Sequence, residues 1–212
     1  MHDPAALSPL PRRRMPSPAA MVAPLAAPRT DRDSPGDALH VRSAMAADLP
    51  AVTEIQAAAM RSGGAASIAT PLDLRQVTAL RERLAVQGYP CLVAVRGGTV
   101  LGFAFAQPFG QREGWRMLVE AIVAVHPDAR GEQVGRALLA ALIGACEARG
   151  FRQMLALIEA DASGADAAAL HEALGFERAG VLRGAGLRLG VPVDALMLQR
   201  PLAAGSAARS AA

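Results

Sequence analysis

The order of apolar and polar residues predicts that helices and strands alternate along the chain. Val52, Ile55 and Ala59 recur at helical spacing after Asp48-Leu49-Pro50, and a proline in the first turn is typical of a helix start, so we predict a helix that runs through Met60. The same reading predicts strands at 40–43, 90–95, 100–106, 118–125, 153–159, 177–183 and 193–199, and further helices at 72–86, 134–149 and 166–174. This order indicates an α/β fold, a mixed sheet with helices on both faces.

Both ends of the chain lack such a pattern. Residues 1–38 contain eight of the fifteen prolines, and prolines at that density prevent helix and ladder formation, so we predict a disordered arm. Residues 203–212 are predicted to be a disordered tail. The region between them, 39–202, has the length of one well-buried domain.

Composition narrows the classes of partner. Hydrophobic residues make up 52% of the chain and aromatics only 3%, which predicts a core of alanine, leucine and valine. All 22 basic residues are arginines, spread along the chain, and the net charge is only +3; we therefore expect no nucleic-acid partner. No apolar stretch reaches the ~18 residues of a membrane span.

The two cysteines, Cys91 and Cys146, fall inside a predicted strand and a predicted helix among apolar neighbours. Buried free thiols explain them better than a disulfide or a nucleophile does. A reducing compartment follows, and we expect a cytoplasmic protein.

The segment 118–135 has the features of an anion-binding site. The predicted strand 118–125 leads through His126-Pro127 into the loop 130–135, which contains Gly131 and Gly135 and opens a helix. The first amides of a helix lack partners in the helix, and the positive end of its dipole lies behind them. We expect this loop to hold a pyrophosphate; an ordinary strand-to-helix turn is the simpler alternative.

Three phrases, in this order, resemble the GNAT acyl-CoA-dependent acetyltransferases, and most closely the phosphinothricin and methionine sulfoximine N-acetyltransferases. They are Glu120-x-x-Val123-x-Val125-His126-Pro127-Asp128-x-Arg130-Gly131, then Leu170-His171-Glu172-x-Leu174-Gly175-Phe176, and an ending like Leu189-Gly190-x-x-x-Asp194 with Gln199-Arg200. The resemblance covers about residues 40–202 and implies the GNAT fold.

The resemblance also implies a binding site for acetyl-CoA, with no metal. The strand that ends at Val125 would splay from its neighbour, leaving its backbone to pair with the pantetheine arm. The residues implied in cofactor binding are Val123, Ala124, Val125, Arg130, Gly131, Glu132, Gln133, Val134, Gly135, Arg136 and Gly164.

Three positions depart from the family pattern. Gln133 replaces the usual middle glycine of the loop, Gly164 stands where an asparagine commonly touches the cofactor, and Ala167 replaces a serine one turn into the last helix. Gln133 would weaken cofactor binding unless its amide donates to a phosphate oxygen. These losses keep open an acyl-CoA-binding module without turnover.

Glu120 is the candidate general base, because an amine must lose a proton before it attacks a thioester near neutral pH. Its strand position, on one face with Leu118, Ile122 and Ala124, would partly withdraw it from water. The alternative is a carboxylate on the sheet surface, paired with an arginine. His171 occupies the position where many GNAT members have a tyrosine near the sulfur; it would protonate the departing thiolate or serve the structure only. His126 is expected to orient the loop and is not assigned to catalysis.

The segment before the Glu120 strand lines the acceptor site in the similar enzymes. Arg112 and Arg116 could bind an acidic group bidentately, and Trp115 could supply a wall; solvated loop arginines are the simpler reading. Glu120 and Ile122 complete the predicted substrate contacts. Pro192 and Ile68 replace aromatic residues of the family, which indicates a reshaped acceptor pocket.

The resulting prediction is an N-acetyltransferase that moves an acetyl group from acetyl-CoA to a small-molecule amine. The expected acceptor is an amino acid or an analogue such as phosphinothricin or methionine sulfoximine. The alternatives are an acetyltransferase for a protein N-terminus or an aminoglycoside, and the module without turnover. A homodimer is left open.

Overall fold

The computed structural model describes residues 38–62, 71–110, 112–188 and 190–203. Most of the predicted arm and tail, together with Ile68, lie outside these ranges. The strands are β1 (His40–Ser43), β2 (Cys91–Arg96), β3 (Thr99–Pro108), β4 (Leu118–Val125), β5 (Gln153–Glu159), β6 (Glu177–Arg188) and β7 (Val191–Pro201). The helices are α1 (Leu49–Ser62), α2 (Leu74–Val86), α3 (Val134–Ala148) and α4 (Ala165–Glu172).

The strands form one mixed sheet in the order β1-β2-β3-β4-β5-β7-β6. Strands β4 and β5 are parallel, and every other neighbouring pair is antiparallel. The predicted α/β class with a mixed central sheet is confirmed.

Two apolar layers cover the two faces of this sheet, as alternation along the strands requires. On one face α3 packs against small residues such as Ala104, Ala106 and Ala121. On the other face α1 and α2 pack against larger ones, including Phe103 and Phe105. The alanines let α3 approach closely, and a Cβ built on Gly102 of β3 would meet Leu138 of α3 at 2.9 Å.

The ends of the helices follow local signals. Asp73 caps α2: its carboxylate accepts from the Gln76 amide at 2.8 Å, and the Gln76 side chain accepts from the Asp73 amide at 2.9 Å. This reciprocal pair satisfies two amides that a helix start leaves unpaired. At the turn between β2 and β3, Gly97 and Gly98 take φ values of 55° and 80°, as a tight two-residue hairpin requires.

The last two strands correct the prediction. Strand β6 extends to Arg188 rather than ending at 183, and β7 begins at Val191 rather than at 193. The predicted end of β6 falls in an irregular stretch of the ladder between Leu182 and Gly186, beyond which the pairing resumes. The Asp194 carboxylate accepts from the Gly184 amide at 2.7 Å, which holds this irregularity in place.

None of the helices in the described ranges combines the length and apolarity needed to cross a bilayer. Cys91 and Cys146 are free thiols. Burial raises the pKa of Cys91 to about 11 and that of Cys146 to about 12, so neither suits a nucleophile near neutral pH.

Candidate active site

The sheet opens where β4 and β5 part. Their pairing runs from Leu118 with Gln153 to Glu120 with Leu155, and no register pair joins the two described strands beyond that point. On its other edge β4 stays paired with β3, through to Val125 with Gly102. One edge of the backbone at 121–125 is therefore released from the sheet.

The loop that follows β4 exposes the start of α3. Gly131 has a φ of 80° and Gln133 a φ of 64°, and Gln133, at the N-cap of α3, makes no capping hydrogen bond with its side chain. The amides of the first turn of α3 are thus not capped by this side chain, and a helix start in that condition attracts anions. Gln133 is the one described non-glycine residue with a positive φ.

The opening and the loop share one cleft of about 340 Å³. Nearly all the residues predicted to bind the cofactor line it: Val123, Ala124, Val125, Arg130, Gly131, Gln133, Val134, Gly135 and Arg136. Sequence reasoning missed Ala59 of α1, Ala129, and Ser163, Asp166 and Leu170 of the opposite wall; it had noted Ala167 only as a departure. The helical spacing of Asp166, Ala167 and Leu170 could have indicated one face of α4.

Glu132 and Gly164 do not line the cleft. The Glu132 carboxylate pairs with Arg96. Gly164 is buried behind the cleft wall, where an added Cβ would lie 2.0 Å from the Glu159 carbonyl oxygen. The turn after β5 is so tight that an asparagine side chain would not fit at this position. The glycine and the tight turn therefore depend on each other.

That turn rests on a polar cluster. The Glu159 side chain is 2% exposed, and its carboxylate accepts from Arg188 Nη1 of β6 and from Ser163 Oγ, each at 2.7 Å. The pairing satisfies a buried charge that would otherwise be costly. Because Ser163 also faces the cleft, this cluster fixes one rim of it.

Glu120 stands at the point where β4 and β5 part and is 7% exposed. Gln107 lies directly opposite on β3, and its Nε2 donates to Glu120 Oε2 at 2.9 Å. A hydrogen bond to a carboxylate offsets part of the cost of burying it. This burial does not fit a carboxylate on an exposed sheet surface; the role of Glu120 as the base stays a prediction. The pattern of residues gave no signal for Gln107.

His171 is turned away from the cleft, although its neighbour Leu170 lines it. Its ring packs edge-on to Phe176, with centroids 5.0 Å apart. Nδ1 lies 2.7 Å from the Ala167 carbonyl oxygen, so Nδ1 carries the proton, because a carbonyl oxygen only accepts. Nε2 is buried and has no hydrogen-bond partner among the described residues. Burial lowers the pKa of His171.

The segment before β4 forms a stack at the surface. Phe109 and Trp115 are parallel, with centroids 5.9 Å apart, and the Arg112 guanidinium lies 4.8 Å from the centre of the Trp115 ring. Arg116 is exposed beside it. Arg112 is thus held by an aromatic face; its contact with substrate, and those of Trp115, Arg116 and Ile122, stay predictions. His126 accepts from the Asp128 amide and orients the turn, as expected.

The described ranges contain no cluster of three or more His, Cys, Asp or Glu side chains suited to a metal ion.

Comparison with known proteins gives consistent matches. The profile of the Acetyltransferase (GNAT) family matches residues 52–176. A phosphinothricin N-acetyltransferase of Alcaligenes faecalis is 40% identical over 158 residues, which cover 74% of this chain and 80% of that protein. An L-methionine sulfoximine/L-methionine sulfone acetyltransferase of Pseudomonas paraeruginosa is 38% identical over 160 residues, 75% of this chain and 92% of that protein. Among solved structures, a phosphinothricin acetyltransferase of Sinorhizobium meliloti in complex with AcCoA is similar, with a TM-score of 0.72 and 39% identity, covering 80% of this chain and 91% of that one.

Proposed function

The chain belongs to the GNAT family of acetyltransferases, and we propose that, as an acetyl-CoA-dependent N-acetyltransferase of small molecules, it acts on the amine of an amino acid or of an analogue such as phosphinothricin or methionine sulfoximine. The observation that carries the proposal is the cleft itself. It joins the unpaired edge of β4 and the amide-rich start of α3. The buried Glu120 does not line the cleft, but it lies on β4 where the unpaired edge begins.

The chain's own backbone suits each part of acetyl-CoA. The released edge of β4 at Val123–Val125 would pair with the amides of the pantetheine arm, as another strand would. The amides of the loop and the first turn of α3 would meet the diphosphate without needing a basic side chain. Arg130 and Arg136, which also line the cleft, add positive charge near that end.

Bound acetyl-CoA supplies the thioester whose acetyl carbon the free amine attacks; the C–N bond forms as the C–S bond breaks. Glu120, directly or through a water, takes the proton that the amine must lose. The amides of β4 would polarise the carbonyl, a contribution of roughly 3–4 kcal/mol per donor in well-studied sites. His171 as the donor to the departing thiolate stays a prediction; Nε2 would have to gain a proton that burial disfavours.

The acceptor assignment rests on charge. Arg112 and Arg116 lie on the segment that leads directly into the Glu120 strand, and guanidinium groups bind carboxylate, phosphinate and sulfoximine oxygens. A polycationic aminoglycoside would be repelled by the same pair. The proposal that the enzyme works in the cytoplasm follows from its two free cysteines.

Two measurements test the proposal. Calorimetry with acetyl-CoA reports cofactor binding, and thiol release then reports turnover with a panel of amino acids, phosphinothricin, methionine sulfoximine, an aminoglycoside and a peptide with a free N-terminus. We expect binding, and turnover with acidic or zwitterionic amines. Binding without turnover across the panel would favour the acyl-CoA-binding module. Turnover confined to the peptide or the aminoglycoside would show that the acceptor is not an amino acid or an analogue of one.

A further inference from the structure

Glu132 is an acidic residue in the middle of an anion-binding loop. Its neighbours Gly131 and Gln133 line the cleft, whereas Glu132 does not. Its carboxylate instead forms an ion pair with Arg96. A free carboxylate beside a diphosphate would weaken binding, because like charges a few ångströms apart repel each other.

Arg96 is well placed to prevent this. It is the last residue of β2 and pairs across the hairpin with Thr99. The two glycines of the turn, Gly97 and Gly98, both have positive φ, which fits a two-residue turn of fixed twist. The strand end therefore fixes the backbone from which the Arg96 guanidinium reaches Glu132, and neither of these residues lines the cleft.

We propose that Arg96 is a positioning residue for cofactor binding, which holds the Glu132 carboxylate outside the cleft and cancels its charge. The inference rests on the proposed binding of the acetyl-CoA diphosphate at the loop 130–135. The side chains of Arg96 and Glu132 are 31% and 43% exposed, so the pair adds little to the stability of the fold. We expect the pair to affect mainly the binding of the acetyl-CoA diphosphate at the neighbouring loop.

The test is acetyl-CoA calorimetry on the full chain at low ionic strength. Arg96→Met should weaken binding roughly three- to tenfold, and the loss should shrink as salt is added. Adding Glu132→Gln to that variant should restore most of the affinity, since the repelling charge is gone. Arg96→Lys should retain it. Arg178→Met is the matched control, because Arg178 forms a comparable surface pair, with Glu172, and should bind like the wild type.

Two results would overturn the inference while leaving the proposed function intact. One is unchanged affinity in Arg96→Met. The other is a double variant as weak as Arg96→Met, above all if the loss disappears with dephospho-CoA, because Arg96 would then contact the ligand directly. If the wild-type protein does not bind acetyl-CoA, both the proposed function and the proposed role of Arg96 are wrong.

Glu132→Gln alone gives a second test that leaves Arg96 in place. It frees the guanidinium beside the loop and should tighten acetyl-CoA binding roughly two- to fivefold at low salt. Unchanged or weaker binding would contradict a charge effect. The melting temperatures of all variants should agree closely, since only a partly exposed pair is altered.

Discussion

The two sides of the proposed active site are made from different parts of the polypeptide. The proposed cofactor side, which is Val123–Val125 with the loop 130–135, offers the released backbone edge of β4 and the start of α3, which the Gln133 side chain does not cap. The proposed acceptor side, which we define as Glu120, Gln107 and the stack of Phe109, Arg112 and Trp115, lies outside the residues that line the cleft and offers side-chain groups. A site made of backbone should be damaged by added atoms, and a site made of side chains by removed ones. Among the departures at positions 133, 164 and 167, Gln133 adds atoms to the cofactor side and is expected to do the most damage, whereas Gly164 and Ala167 only remove side-chain atoms.

The sharpest way to separate the two sides is Glu120→Gln. The variant keeps the size of the side chain but removes the proposed base, so kcat should fall roughly 10²- to 10³-fold at low pH. The loss should be much smaller at high pH, where the amine arrives already deprotonated. Acetyl-CoA affinity should hardly change, because the backbone of the cofactor side is untouched.

A pH profile of turnover for wild type and Glu120→Gln, with calorimetry beside it, checks this expectation. Glu177→Gln, an exposed carboxylate at the start of β6, serves as the control. Equal profiles for wild type and Glu120→Gln would remove Glu120 from the mechanism. A parallel loss of cofactor affinity would show that the two sides are not separable.

Adding one methyl group behind the cofactor side should be the largest change in stability. The Cβ of Gly164→Ala would lie 2.0 Å from the Glu159 carbonyl oxygen and 2.8 Å from Ile158, so the turn must move, at a cost of about 1–3 kcal/mol. The same substitution at Gly144, exposed in α3 with nothing within 4 Å of its Cβ, should stabilise by roughly 0.5–1 kcal/mol. Chemical denaturation measures both, and similar values would contradict the close contact.

The sequence predicts the cofactor side more completely than the acceptor side. The strand β4, the loop and α3 were predicted with nearly correct bounds, because their signals are local: alternation, glycine and a helical repeat. Most of the cleft lining on that side followed. The opposite wall did not, since Ser163 and Asp166 reach the cleft only through the turn that Glu159 and Arg188 fix across the sheet.

The acceptor side was predicted less completely because its contacts are between strands. Gln107 meets Glu120 only through the register of β3 with β4, which no residue pattern along one strand reveals. His171 matches a family phrase, yet its orientation into the core depends on how α4 packs against Phe176. A sequence motif places a residue on a helix or strand, whereas tertiary packing determines the direction in which its side chain points.

Gln107→Leu tests whether the acceptor side depends on that cross-strand contact. Loss of the donor leaves a buried carboxylate with a weaker set of hydrogen bonds, a cost of about 1–3 kcal/mol that should appear as a roughly tenfold lower kcat. The KM for acetyl-CoA should stay near the wild-type value. Steady-state kinetics and a melting curve check this, with Gln107→Glu as a comparison that opposes two carboxylates. An effect on melting alone, with kcat unchanged, would make Gln107 structural.

Gln133→Gly asks whether a side chain on the cofactor side is helpful or only tolerated. Gln133 has a φ of 64°, a conformation that costs a residue with a Cβ roughly 1 kcal/mol and a glycine almost nothing. We expect Gln133→Gly to bind acetyl-CoA up to roughly fivefold more tightly. Gln133→Ala separates the causes: it keeps the strain but removes the amide. If Gln133→Gly and Gln133→Ala both weaken binding in calorimetry, the Gln133 amide contacts the ligand, and the cofactor side is less purely backbone than the cleft indicates.

The smallest expected effect concerns His171 of α4, the helix that supplies one wall of the cleft. Burial lowers its pKa from the usual 6.5, so the unfolded chain takes up a proton near pH 6.5 while the folded chain does not. The unfolded state then binds more protons, and the free energy of unfolding must decrease as pH falls below about 6.5. His171→Gln, which cannot titrate, should lack this component. The difference in unfolding free energy between wild type and variant should be constant above about pH 7.5. At lower pH it should shift in favour of the variant. The other histidines contribute equally to both proteins, so their effect cancels in this difference. A difference that does not vary with pH would show that the imidazole reaches solvent or a hydrogen-bond acceptor that stabilises its charged form. That result would support His171 as the candidate acid for the departing thiolate.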